Sequence, residues 1–247
     1  MCVFSIESYC AEACSNEEGL VQNSNQGITY LLPRHVLLTS YLTFAAMYLL
    51  SIFWQKIIQW DHDLFMQLNS KWTNPFFDTI MPFMRNSIIW IPLYLFILVL
   101  VLVNFRIKAY WWIIFFLITV ALTDQTGAKL FKYGFERIRP CNNPDMLAHL
   151  RLLVRCPSGY SFVSNHAANH FGMATFLFLT FRHLFKNWIW LVFLWAGTIA
   201  YAQVYVGIHY PSDIAGGMVL GIISGTLTAL LFNKYFGKLQ LPEKNKS

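Results

Sequence analysis

Long stretches without charged side chains recur along this chain. Six windows are free or nearly free of Asp, Glu, Lys and Arg, and they cover residues 35–55, 86–105, 109–123, 156–181, 187–212 and 214–233. About 20 mostly apolar residues allow a helix to cross the roughly 30 Å hydrocarbon core of a bilayer, where a helix satisfies its own backbone hydrogen bonds. The pattern therefore predicts an all-α, polytopic membrane helix bundle of about six transmembrane helices.

Composition agrees with a membrane protein. Of the 247 residues, 56% are hydrophobic and 12% are charged, whereas soluble domains average roughly 45–50% and about 25%. The windows define a membrane-embedded domain at residues 35–233, with a polar tail at 1–34 and a basic tail at 234–247. The polar tail lacks the features of a secretory signal peptide, and we interpret its cysteines, Cys2, Cys10 and Cys14, as free thiols.

The distribution of Lys and Arg predicts the orientation, because short cytoplasmic loops carry an excess of both. With six spans, each side of the membrane carries nine Lys and Arg residues. On one side, six of the nine fall within residues 129–155, a segment dense in polar groups, whereas the short loops of the other side are basic without another evident purpose. We therefore expect both termini in the cytoplasm and residues 129–166 outside it.

Two cysteines flank this external segment. Cys141 and Cys156 are fifteen residues apart, and a disulfide that closes a loop of that size contributes about 3 kcal/mol in the chain-entropy model. Such a bond needs an oxidising compartment. Two free thiols are the alternative, and the sequence leaves both open.

Three clusters of polar and ionisable side chains lie at ends of the predicted helices. The first contains Lys132 and Arg139, and the planar guanidinium of Arg139 suits phosphate oxygens. A basic run beside a membrane is also typical of contacts with anionic lipids. This cluster alone leaves both interpretations open.

The second cluster is Ser164, Asn165 and His166, directly before the apolar run of the fourth helix. Ser and Asn favour the N-cap, which puts the free N–H groups and the positive dipole end of a helix beside a histidine. A helix start of this kind is a ready anion site. An ordinary cap with an interfacial histidine fits the cluster equally well.

The third cluster is His209, Pro211 and Asp213, at the start of the last predicted helix. Pro suits the first helical position and Asp the first turn, from which the carboxylate can reach back to His209. An Asp so placed fixes the imidazole tautomer and supports the cation that forms when the other ring nitrogen attacks. A structural helix start explains Pro211 and Asp213 but not His209. Ionisable groups gathered at one membrane face indicate a functional site.

Together the clusters resemble the signature of the type 2 phosphatidic acid phosphatase superfamily, the lipid phosphate phosphatases that share a core with vanadium haloperoxidases. Lys132, Arg139 and Pro140 match the family's Lys-x6-Arg-Pro motif. Residues 163–166 read Val-Ser-Asn-His where the family has Pro-Ser-Gly-His, and residues 202–213 keep the His and Asp of Ser-Arg-x5-His-x3-Asp. The resemblance covers roughly residues 60–232, with the signature at 124–217.

The resemblance implies a role for each residue. His209 is the nucleophile that forms a phosphohistidine, Asp213 orients it, and His166 protonates the leaving oxygen and later activates water. The residues implied to hold the phosphoryl oxygens are Lys132, Arg139, Ser164, Asn165 through its backbone, and Gln203. No metal ion or other cofactor is implied, because side-chain cations stabilise the charge on the equatorial oxygens.

Gln203 is the main departure, because the family has a phosphate-binding arginine there. An amide donates hydrogen bonds without a charge, and the loss of one preorganised charged donor costs about 2.7–4 kcal/mol of transition-state stabilisation. Arg137 or another cation is a candidate to compensate. Asn165 in place of glycine is milder, although it adds a side chain where the backbone approaches phosphate.

The resemblance and the residues together predict a metal-independent integral membrane phosphatase that acts on a lipid phosphate or diphosphate. Undecaprenyl or another isoprenoid diphosphate, phosphatidylglycerophosphate, phosphatidate and phosphorylated lipid A stay open as substrates. The alternative is a catalytically weakened lipid-phosphate-binding or transport protein of the same fold. We expect the bacterial inner membrane, with the site facing outward. The expected partners are the bilayer and the lipid substrate, not nucleic acid, and the oligomeric state is not predicted.

Overall fold

A computed structural model describes residues 19–22, 29–32 and 34–241, which belong to two compact units, Met1–Gln59 and Trp60–Ser247. The first unit contains an antiparallel pair of strands, β1 (Gly19–Gln22) and β2 (Thr29–Leu32), and most of helix α1 (Arg34–Met66). These strands lie within the predicted polar tail, where the apolar residues at 20–21 and 30–32 favour pairing. Cys2, Cys10 and Cys14 lie outside the described residues.

The second unit is helical. Its helices are α2 (Pro75–Met84), α3 (Ile91–Phe105), α4 (Ile107–Gln125), α5 (Lys132–Phe135), α6 (Pro144–Leu147), α7 (Asn165–Phe185), α8 (Leu191–Tyr205) and α9 (Pro211–Phe236). Shorter helical segments of π type lie at Gln67–Lys71 and Thr126–Phe131, and of 3₁₀ type at Ser87–Trp90, Pro140–Asn142 and Lys186–Trp190.

In the part of the chain that the structure describes, five helical stretches are long and apolar enough to cross a membrane. They are Thr39–Lys71, Ser87–Phe105, Ile107–Phe135, Asn165–Tyr205 and Pro211–Phe236. The fourth stretch contains α7 and α8, which run antiparallel, because His170 packs on Trp195 with ring centroids 5.0 Å apart and Phe178 packs on Trp190 at 4.6 Å. Each charge-free window thus contains one helix, and the predicted helical membrane bundle is confirmed.

Two charge-free windows extend beyond their helices at the same end of the bundle, whereas the helix starts predicted at residues 164–165 and at Pro211 are confirmed. The window at 156–181 begins well before α7, which starts at Asn165, and the window at 187–212 runs past the end of α8 at Tyr205. The excess residues are uncharged but irregular, because they form the loops that surround a polar site. Conversely, α1 continues beyond residue 55 to Met66. Its last residues, including Asp61, belong to the second unit.

Helices α7 and α9 form the most extensive helix contact. A Cβ atom added at Gly221 of α9 would overlap the carbonyl oxygen of Ala168 in α7, so glycine is needed for the two backbones to approach this closely. The backbone N–H of Ser164 donates to the carbonyl of Asp213 at 3.1 Å. The starts of α7 and α9 therefore lie side by side at one end of the bundle.

Candidate active site

His209 lies in the loop between α8 and α9 and is 3% exposed. Its Nδ1 is 3.4 Å from Oδ2 of Asp213, and its Nε2 is 3.0 Å from Nη1 of Arg139. Because a guanidinium only donates hydrogen bonds, Nε2 accepts this one and carries no proton. The proton of the neutral ring therefore lies on Nδ1, facing Asp213, and the lone pair suited to attack lies on Nε2.

The charge state of His209 follows from its surroundings. Burial lowers its pKa to about 4, because desolvation disfavours the cation. Asp213 raises the pKa by less than burial lowers it, and the positive charges of Arg139 and Lys132 lower it further. The ring is consequently neutral at pH 7, which is the form that can act as a nucleophile.

Asp213 is fully buried in the first turn of α9, as the sequence predicted. Its Oδ2 accepts hydrogen bonds from the hydroxyl of Ser161 and from the backbone N–H of Tyr210, the latter at 2.9 Å. Its Oδ1 accepts one from Nη1 of Arg137 at 2.7 Å. These donors satisfy the carboxylate and fix its orientation toward His209.

Of the cations that could supply the charge missing at position 203, Arg137 is already paired with two acidic side chains. The guanidinium is committed to two carboxylates, with Nη1 on Asp213 and Nη2 2.5 Å from Oδ2 of Asp61. Asp61 also accepts hydrogen bonds from Ser212, through the backbone N–H at 2.8 Å and the hydroxyl at 2.5 Å. Burial alone would lower the pKa of Arg137, but the two carboxylates raise it. Arg137 and Asp61 thus position Asp213, and the motifs contain no signal for Asp61.

Two cations act on His209, Arg139 through a hydrogen bond and Lys132 through its charge. Arg139 is 5% exposed and also donates to the carbonyls of Gly159 at 3.1 Å and Ile208 at 3.2 Å. Lys132 is half-buried, and its charge acts on Arg139, Asp213 and His209. Neither takes part in an ion pair within the described residues, so both charges are available to an anion.

The start of α7 forms another side of the site. Ser164 is buried and caps the helix, its hydroxyl accepting from the N–H of Ala167 at 3.4 Å. The side chain of Asn165 donates to Oδ1 of Asp124 at 2.9 Å. The side chain that replaces the family's glycine therefore ties α7 to the end of α4, while the backbone of the first turn keeps its free N–H groups.

His166 lies in the first turn of α7. Its ring stacks on that of His170, with centroids 6.3 Å apart. His170 is buried, and its Nδ1 donates to the carbonyl of His166 at 2.7 Å, while its Nε2 lies 3.2 Å from the hydroxyl of Tyr94. Support for His166 thus comes from a second histidine to which the motifs give no role.

Gln203 is fully buried on α8, next to a cation that the motifs do not include. Its Oε1 accepts a hydrogen bond from Nε of Arg85 at 3.4 Å. The charge of Arg85 also acts on Arg139 and His166, and its guanidinium contacts the residue at the position where the family has a phosphate-binding arginine. The one sequence signal for Arg85 is its position between two charge-free windows, on the same predicted side as the signature.

Cys141 and Cys156 form a disulfide with Cα atoms 5.9 Å apart, which decides between the two alternatives left open by the sequence. The loop that it closes is anchored to the bundle. Nη2 of Arg151 pairs with Oδ2 of Asp78 at 2.6 Å, and the buried side chain of Asn69 donates to the carbonyl of Arg151 at 2.8 Å. The loop therefore has a fixed position above the start of α2.

The arrangement suits a tetrahedral anion. Arg139 contacts an unprotonated imidazole nitrogen, the charge of Lys132 acts on the same histidine, and the charge of Arg85 acts on Arg139. Between residues 39 and 241, no group of three or more His, Cys, Asp or Glu side chains is arranged to hold a metal ion. Phosphoryl transfer depends on positioning and on neutralising the equatorial oxygens, and the side chains gathered here can do both.

Comparisons with known proteins identify the family to which this chain is similar. The profile of the PAP2 superfamily matches residues 109–236. A protein of Bacteroides thetaiotaomicron described as lipid A 4′-phosphatase is 35% identical over 171 residues, which cover 68% of this chain and 75% of that protein. The crystal structure of LpxE from Aquifex aeolicus superposes with a TM-score of 0.53 at 25% identity, over 67% of this chain and 92% of LpxE.

A second solved structure shares the fold. It is a transmembrane PAP2-type phosphatidylglycerolphosphate phosphatase from Bacillus subtilis, which superposes with a TM-score of 0.55 at 21% identity. The match covers 80% of this chain and 96% of that protein. Most of the chain therefore shares its fold with that protein.

Proposed function

The chain belongs to the PAP2 superfamily, and from this premise we propose that it hydrolyses a lipid phosphate or diphosphate through a phosphohistidine intermediate. One observation carries the proposal. Nε2 of His209 is held unprotonated by Arg139 while Nδ1 faces Asp213. This is the tautomer that a histidine nucleophile needs.

In the first step, Nε2 of His209 attacks phosphorus. The P–N bond forms as the bond between phosphorus and the lipid oxygen breaks, and His166 gives its proton to that oxygen. The imidazole becomes a cation whose Nδ1 proton faces Asp213, and the carboxylate stabilises it. Lys132 and Arg139 balance the charge on the equatorial oxygens, so the proposed reaction uses no metal ion.

In the second step, a water molecule gives a proton to His166 and attacks phosphorus. The P–N bond breaks, and inorganic phosphate leaves. His209 returns to its neutral form and His166 to its protonated form. The N–H groups at the start of α7, beyond Ser164 and Asn165, are suited to hold phosphoryl oxygens in both steps.

We place the site at the outer face of a bacterial inner membrane, with both termini in the cytoplasm. The disulfide between Cys141 and Cys156 supports this orientation, because disulfides persist in oxidising compartments. Phosphorylated lipid A is our first candidate substrate, since the Bacteroides thetaiotaomicron relative is described as a lipid A 4′-phosphatase. The other candidate substrates are isoprenoid diphosphate, phosphatidylglycerophosphate and phosphatidate, and together the four lipids form the panel for the assay.

A lipid-phosphate-binding or transport protein with weakened catalysis is the second candidate. The uncharged Gln203 favours it, because loss of one charged donor from such a site lowers turnover by about 10²–10³. The position of Arg85 beside Gln203 favours the enzyme.

Phosphate release by detergent-purified protein separates the two candidates. The wild-type protein and the His209→Ala variant are compared on each lipid of the panel, with circular dichroism to check that the variant is folded. We expect turnover of at least one lipid by the wild type and loss of at least 10³-fold in the variant. Equal release by both proteins would remove the nucleophile assignment, and lipid binding without release would favour the binding protein.

A further inference from the structure

Arg85 is a half-buried cation without a counter-ion among the described residues. It follows the last turn of α2, where its N–H donates to the carbonyl of Met81 at 3.2 Å. None of the ion pairs between residues 39 and 241 includes it, and burial lowers the pKa of its guanidinium. A desolvated cation is unfavourable until an anion approaches it.

Gln203 has the complementary feature, a buried donor without an acceptor. Its Oε1 faces Nε of Arg85. Because arginine only donates, the amide oxygen belongs on this side and the NH₂ group on the other. That Nε2 is buried and has no hydrogen-bond acceptor in the described part of the chain. The amide therefore lacks a partner that accepts hydrogen bonds.

Both groups are close to the reacting centre. The backbone carbonyl of Gln203 accepts the N–H of Ile208, the residue before His209, at 3.2 Å. The charge of Arg85 acts on Arg139 and on His166. Arg139 donates to the carbonyl of the same Ile208, so an anion that contacts Arg139 would lie near the hydrogen-bonded pair of Arg85 and Gln203.

The end of α2 is fixed in place by packing. Met81 belongs to the same buried cluster as Ala202 and Tyr205 of α8, and the indole of Trp90 donates to the carbonyl of Met84 at 2.9 Å. The backbone of Arg85 is thus held against the helix that carries Gln203. A preorganised donor of this kind needs little rearrangement when the ligand arrives.

We propose that Arg85 and Gln203 together bind one non-bridging oxygen of the phosphoryl group. Arg85 supplies the charge, while Gln203 orients the guanidinium through Oε1 and donates from Nε2. The inference rests on the proposed phosphatase function for its kinetic part. In this arrangement Arg85 replaces the positive charge that is absent at position 203, so the proposed hydrolysis does not need an arginine there. The ligand class is a phosphate monoester or its tetrahedral analogue.

The test is a charge relocation in the full-length, detergent-purified protein. Arg85→Gln removes the cation, Gln203→Arg adds one at the neighbouring position, and the double variant moves the charge between them. Arg182→Gln is the matched control, because it removes an exposed arginine from the last turn of α7, at the opposite end of the helix that carries His166. Arg85→Met also removes the charge but keeps an unbranched side chain, and it serves if Arg85→Gln does not fold.

Two readouts are needed, phosphate release from a lipid phosphate and binding of inorganic phosphate by calorimetry. We expect Arg85→Gln to lower kcat/KM by about 10²–10³ and to weaken phosphate binding. The double variant should recover at least tenfold of the lost activity. Gln203→Arg alone should bring no gain, since the charge is already present, and Arg182→Gln should match the wild type.

The inference is overturned if Arg85→Gln, or a folded Arg85→Met in its place, stays within threefold of the wild type in both readouts. Failure of the proposed function has a different signature. In that case neither the wild type nor His209→Ala releases phosphate from any lipid, while the binding of inorganic phosphate still reports whether Arg85 contacts the anion.

Discussion

Arg139 donates a hydrogen bond to Nε2 of His209 across 3.0 Å. The contact keeps Nε2 unprotonated, and it also occupies the lone pair that must attack phosphorus. A phosphate oxygen is a stronger acceptor for a guanidinium than an imidazole is. We therefore expect Arg139 to turn to the phosphoryl group when substrate binds, which frees Nε2 at the moment it is needed.

The Asp213→Asn variant tests whether Asp213 holds His209 in the tautomer with its proton on Nδ1. An amide keeps the shape of the carboxylate but removes the charge that stabilises the histidine cation and favours the Nδ1 proton. We expect kcat to fall by about 10⁴, the size of the effect when an orienting aspartate is neutralised in a catalytic triad, with a smaller change in KM. The measurement is steady-state phosphate release. A loss below tenfold would mean that Asp213 does not orient His209.

Arg137 and Asp61 should affect catalysis through Asp213. Arg137→Gln leaves two buried carboxylates unpaired, and we expect a loss of about 3–5 kcal/mol in the free energy of unfolding together with a lower kcat. Asp61→Asn keeps the pairing of Arg137 with Asp213 and should cost less in both measurements. Thermal unfolding and kcat on the two variants check this. A larger kcat loss for Asp61→Asn than for Arg137→Gln would contradict the claim that Asp61 acts on Asp213 through Arg137.

The dependence of kcat/KM on pH should reflect the low pKa of His209, about 4. Above that pH the ring is neutral and Nε2 has a lone pair, and below it the ring is protonated and inactive. Activity should thus persist as the pH falls past the ordinary histidine value of about 6.5, and its acid limb should lie near pH 4. Lys132→Gln removes a positive charge that lowers this pKa and should move the limb to higher pH. A limb near pH 6.5 that does not move in Lys132→Gln would refute the assignment to His209.

Reduction of the Cys141–Cys156 bond should destabilise the protein. The chain-entropy model gives about 3 kcal/mol for a loop of this size, and the Cys141→Ser/Cys156→Ser variant should show the same loss without reductant. Thermal unfolding with and without dithiothreitol measures both. If the disulfide forms in the cell, a maleimide reagent will label neither cysteine until the protein is reduced. Immediate labelling would contradict the outward orientation.

The sequence predicted the helices because membrane spans are defined by uncharged length, and it predicted the His209 and Asp213 pair because both lie on one helix start. It predicted less where partners come from distant parts of the chain. Asp61 and Arg85 lie outside the three motifs, on α1 and at the end of α2, and become site residues through packing of those helices. Arg137 belonged to the signature segment, but its partners could not be read from spacing.

The central claim is that His209 carries the phosphoryl group, and rapid quenching tests it most directly. The protein is mixed with a lipid labelled with ³²P on its phosphate, quenched in alkali after milliseconds, and digested for peptide mapping. We expect transient label, stable to base and labile to acid, on the peptide that contains His209, and none in His209→Ala. The account would be contradicted if the wild-type protein carried no label while it hydrolysed the substrate, or if the label were on another residue.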